Sequence, residues 1–229
     1  MDDSLQTVNP GYALPSVEQR NRVLRNTYWL LALSMVPTVL GAWLGVATGI
    51  VASMGVGMSF IVFMVGAFGF IYAIEKTKNS SAGVPVLLAF TFFMGLMLSR
   101  LLAFVLGRDG GAMLVMTAFA GTGVAFLAMA TLSTMIKRDL STMGKFLSIG
   151  AIMLLAAIVL NLFVQSGALF VTIAVLMVGI FSAFIVYDLK SVRDGLETNY
   201  ISATLRIYLD LYNIFQALLS LLGFAGSRD

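Results

Sequence analysis

The run RIYLDLYNIFQALLSLLGF, residues 206–224, carries a single carboxylate, Asp210, with no lysine or histidine beside it. A charge in hydrocarbon costs at least about 2.5–3.5 kcal/mol, so this residue requires a partner, a wet cavity or a function. A census of the eleven acids narrows the choice. Asp2, Asp3, Glu18, Glu75, Asp109, Asp139, Asp194, Glu197 and Asp229 fall in tails or between apolar runs, which leaves Asp188 and Asp210 inside or at the edge of them. A short connection, KSVRDGLETNY, separates the two. Antiparallel helices joined that way bring both carboxylates to one depth, where they cannot both ionise cheaply and titrate as a coupled pair sharing a proton. At about 100° per residue, Arg206, Asp210, Asn213, Ala217 and Ser220 share one helical sector, a polar stripe that must face protein or water. Simpler roles compete for each position. Asp188 could cap a helix end near Lys190, and Asp210 could pair locally with Arg206 four residues earlier.

The elements that position these acids are set by composition. Of 229 residues, 59% are hydrophobic and only 11% charged, against roughly 25% charged in a soluble domain. The fold class is therefore all-α integral membrane, because lipid offers no partner for unpaired backbone groups and nothing alternates like barrel strands. Seven apolar runs approach the roughly 20 residues needed to cross the hydrocarbon core. They cover Thr27 to Gly49, Val51 to Ile74, Val84 to Leu106, Ala112 to Ile136, Phe146 to Val164, Ala168 to Leu189 and Ala203 to Phe224. Residues 1–26 are polar and are expected as a flexible cytosolic tail, with residues 27–229 forming the transmembrane domain. Eleven of the fourteen Lys and Arg fall on the side of the amino terminus, the exceptions being Arg100, Arg108 and Arg228. The positive-inside rule then gives a cytoplasmic amino terminus and an external carboxyl terminus.

Absent residue types exclude chemistry. There is no cysteine and no histidine, which removes disulfides, thiol catalysis, thiolate zinc sites, histidine-based hydrolysis and the usual sensor of neutral pH. Any pH response must come from carboxylates, and no enzyme activity is expected. The pI near 9.3 reflects topology signals rather than a basic stripe with interleaved aromatics, so no nucleic-acid partner is expected. The last run has no lysine for a retinal Schiff base, and no Gly-x-Gly-Asp of an aspartyl intramembrane protease occurs. Proton-coupled transport stays open. Arg100 is a possible intramembrane partner or a residue snorkelling outward. The glycines of GVGMSF and GAFGF are expected at close helix contacts, and Tyr28, Trp29, Tyr72 and Tyr208 at the membrane interfaces.

The stretches FIVYDLKSVRDG and ETNYISATLRIYLDLYNIFQALLSLLGF resemble the carboxyl-terminal signature of the Bax inhibitor-1, or transmembrane Bax inhibitor motif, family. VLRNTYWLLALS and ETNY are similar to its bacterial YccA-like branch. The resemblance implies a seventh transmembrane helix that is central and wrapped by the other six. It also implies a pH-sensitive calcium leak through paired aspartates, which motif by motif are Asp188 in YDL and Asp210 in YLDLYNIF. Two carboxylates are too few for a tight calcium cage, so calcium would be a weakly bound, transported ion and no cofactor would be held tightly. The YccA-like branch implies a different role, in which a protein of the bacterial inner membrane binds and modulates the FtsH membrane protease. Two departures bear on closure of a leak. Where leak members place a latching basic residue after the second helix, this chain reads Glu75 and Lys76, and where the third helix often reads Gly-Pro it has Ser99 and Arg100.

Overall fold

In the computed structural model, residues 15–225 are described, and they form an all-helical bundle. The helices are α1 (Val17–Thr48), α2 (Ile50–Ser53), α3 (Val56–Thr77), α4 (Gly83–Leu106), α5 (Gly111–Met135), α6 (Ser141–Val164), α7 (Gly167–Asp194) and α8 (Tyr200–Ala225). All but α2 are long and apolar enough to cross a membrane, which gives the seven expected crossings.

Local chemistry sets the ends. α1 begins ten residues before the expected span, because Ser16 and Gln19 form a capping box: Gln19 N donates to Ser16 Oγ at 3.2 Å, and Ser16 N to Gln19 Oε1 at 3.0 Å. Residues 17–26, expected in the tail, are therefore helical, and the rest of that tail up to Leu14 lies outside the described residues. α1 stops at Gly49, whose φ of 65° is left-handed. The expected second span is interrupted at Met54 and Gly55, both extended or irregular, so that α2 and α3 share it. α7 runs past Leu189 to Asp194 before Gly195, at φ 81°, ends it.

α8 packs against α1, α3, α4, α5 and α7. Between Tyr200 and Phe224, Arg206 alone is exposed. Of the six spans expected around it, α6 instead leans on α7. The tightest helix pair is α1 with α4. A Cβ at Gly41 would meet the Phe92 carbonyl and one at Gly95 the Thr38 carbonyl, so these glycines permit the close approach. The glycines singled out in the sequence behave differently. Gly55, Gly57 and Gly69 face open space, and among that group only Gly66 packs, against Phe93.

Candidate functional site

The end of α7 and the start of α8 form a helical hairpin closed by residues 195–199. Asn199 shapes it. Its Oδ1 accepts the Ile201 and Ser202 amides at 2.9 and 3.1 Å, capping α8, while its Nδ2 donates to the Lys78 carbonyl and to Asn79 Oδ1, tying on the α3–α4 loop. This is the structural work of the ETNY stretch. Its glutamate does more. Glu197 Oε1 accepts the Asn199 amide at 2.9 Å, and Oε2 lies 3.4 Å from Arg206 Nη2.

Asp188 and Asp210 are electrostatic neighbours across the α7–α8 seam. Both are buried, at 6% and 5% exposure, and Asp210 Oδ2 has no donor among the described residues. Two buried carboxyls that interact in this way cannot both ionise cheaply. The alternative is a cation from outside, since an unsatisfied buried acceptor is expensive to maintain. Arg206 is the nearest protein cation: its Nη1 stands 4.0 Å from Asp188 Oδ1, and its side chain is half exposed. No Arg206–Asp210 pair within 4.0 Å occurs among the described residues, so the local i, i+4 bridge is not formed. Nor does Asp188 cap a helix end, because α7 continues six residues beyond it and Lys190 pairs with Asp194 at 2.6 Å.

The remaining positions disperse. Asn213 Nδ2 donates to the Leu209 carbonyl of its own helix at 2.7 Å. Ser220, ten residues beyond Asp210 and therefore roughly 15 Å along the axis, lines a cleft at the far end of the bundle. Arg100 donates to the Met54 carbonyl at 3.1 Å and to Ser59 Oγ at 3.3 Å, bracing the break between α2 and α3 and touching neither aspartate. Lys78 pairs with Glu75, and Lys76 lies over the Tyr72 ring, so the carboxyl-terminal end of α3 sends neither lysine to the pair. Tyr208 is a core residue, 1% exposed, whose hydroxyl shares a 2.9 Å hydrogen bond with Thr38 Oγ1. Tyr28, Trp29 and Tyr72 are exposed on the bundle surface.

Glu197 was missed among the site residues because it reads as a loop acid. Its signal was its place between a helix-ending glycine and a capping asparagine, which forces the loop to fold back over Arg206. Among the described residues no group of three or more His, Cys, Asp or Glu is placed to hold a metal ion.

Seven helices long and apolar enough to cross a membrane, the last of them polar and the most enclosed, define an integral membrane protein. The sequence family described as "Inhibitor of apoptosis-promoting Bax1" matches residues 20–227, and the chain belongs to that family. Among similar proteins are an uncharacterized protein of Neisseria meningitidis serogroup A, 37% identical over 89% of this chain and 91% of its own length, and an uncharacterized membrane protein of Vibrio cholerae, 35% identical over 92% and 93%. The "Modulator of FtsH protease YccA" of Escherichia coli K12 is 34% identical over 97% of this chain and 98% of its own.

Proposed function

We propose that this Bax inhibitor-like protein is a pH-sensitive calcium leak of the bacterial inner membrane, with its amino terminus cytoplasmic, its carboxyl terminus external and its ion site at Asp188 and Asp210. The observation that supports this is the burial of the two neighbouring carboxyls, with an Asp210 oxygen that no donor among the described residues satisfies. Protons and calcium compete for the same oxygens. Two carboxylates give calcium a brief stop rather than a cage, which suits passage. Arg206, shared between Asp188 and Glu197, supplies the closing cation that the end of α3 lacks. Reconstitution into liposomes loaded with a calcium indicator tests this. Asp210→Asn is expected to abolish the pH dependence of flux and Asp188→Asn to weaken it. Unchanged pH-dependent flux in both variants overturns the ion site.

A second reading is favoured by the named function of the Escherichia coli relative. In it the chain binds an FtsH-type membrane protease and modulates it without transport, engaging it through the residues before α1. Deleting Met1 to Leu14 keeps the Ser16 cap and the three arginines that orient α1. Pulse-chase with and without the protease then decides. A longer half-life of the truncated protein only where the protease is present supports modulation, and equal decay in both strains argues against it.

A further inference from the structure

At the bundle end opposite the aspartates, a cleft of 400 Å3 opens between the end of α4, the α6–α7 turn and the last turns of α8. Gly167, on its wall, precedes Asp188 by 21 residues of continuous helix, roughly 30 Å, so the cleft is separate from the carboxylate pair. Its walls are of two kinds. Phe170 and Phe224, with ring centroids 5.6 Å apart, contribute apolar surface, while Arg108, Asn161, Ser166 and Ser220 contribute polar groups. No carboxylate lines it among the described residues. The Arg108 guanidinium is held in place by the Phe104 ring, 4.4 Å away, and by donating through Nη1 to the Gly223 carbonyl. That bond uses one of its five N–H donors, and no carboxylate lies within 4.0 Å among the described residues.

We infer that this cleft binds a glycerophospholipid, the phosphate on Arg108 and the first acyl carbons against Phe170 and Phe224. A planar guanidinium matches phosphate oxygens in a bidentate fork, and polar groups beside aromatic rings in a pocket of this size fix an amphipathic ligand. The position adds to the chemistry. The cleft lies where α4 and α8 end and α7 begins, and the ends of helices long enough to cross the hydrocarbon core are where headgroups would meet them. A free phosphate would leave the aromatic half of the cleft unused.

Native mass spectrometry of the full-length, delipidated protein in detergent tests this, with phosphatidylglycerol and with a diacylglycerol that lacks phosphate. One phosphatidylglycerol is expected to bind at least tenfold more tightly than the diacylglycerol. Arg108→Gln is expected to weaken it about tenfold, the loss of one charge-assisted contact. Because Arg108 also braces Gly223, Ser220→Phe provides a second variant that fills the cleft and keeps the arginine; it is expected to lose the lipid while retaining the parent's melting temperature. Parental binding in both variants, equal binding of the diacylglycerol, or binding of inorganic phosphate as tight as that of the lipid overturns the assignment.

Discussion

Arg206 stands between two acids of unequal exposure, and that position sets the sign of two substitutions. It lies nearer Glu197, at 3.4 Å, than Asp188, at 4.0 Å, and is half exposed. A cation beside Asp188 repels calcium from the pair, so Arg206→Gln is expected to raise the initial flux at fixed pH. Glu197→Gln frees the guanidinium to move onto Asp188 and is expected to lower it. Screened, half-exposed pairs are worth about 0.2–1 kcal/mol, so each change is roughly fivefold at most. Flux assays on both variants check the signs, and a shift in the same direction for both sinks the closing role of Arg206. The residues that carry this differ in how far the sequence shows them. Asp188 and Asp210 stand out because acids are expensive in apolar runs, whatever the tertiary structure. Glu197 and the true partners of Arg206 depend on how residues 195–199 fold back, which no helical period encodes. The placement of Tyr208 failed for a related reason: its amphipathic ring suits an interface equally well until Thr38 of α1 supplies the buried hydroxyl partner.

At the scale of elements, the α1–α4 contact makes the sharpest prediction. A Cβ at Gly95 would strike the Thr38 backbone, which cannot swing aside as a flexible side chain can. Gly95→Ala is expected to destabilise the protein by about 1–3 kcal/mol, the usual cost of overpacking. Gly69→Ala meets nothing within 4 Å and is expected to be neutral or slightly stabilising, by up to about 1 kcal/mol, because alanine is the better helix former. Thermal unfolding in detergent measures both, and equal effects would show that the helices do not pack as closely as described. Composition alone cannot rank these glycines, since a hydrophobic helix carries no polar face to mark its inside. The seven spans themselves were legible from length and apolarity, yet the ends of α1 and α7 were not, because capping extends a helix beyond its apolar stretch.

For the whole molecule, the distribution of Lys and Arg predicts the orientation, and the lack of cysteine makes it easy to measure. Ser80, in the α3–α4 loop, and Asp109, before α5, are both exposed. In intact cells, a membrane-impermeant maleimide is expected to label Asp109→Cys and to spare Ser80→Cys until the membrane is opened. The reverse pattern would invert the protein and place the aspartate pair on the outer side.

The least hydrophobic crossing, α8, with a mean hydropathy of 1.4 against 1.9 to 2.8 for the other spans, is also the most enclosed. A ribosome makes it only after the six other spans have emerged. Alone in lipid it would present Asp210 and its polar neighbours to acyl chains; arriving after the others, it enters a groove that its predecessors have already lined. Biosynthetic order thus lets a helix too polar to insert comfortably on its own become the most enclosed span of the finished protein, and a chain that stops before Tyr200 would present an open groove in its place.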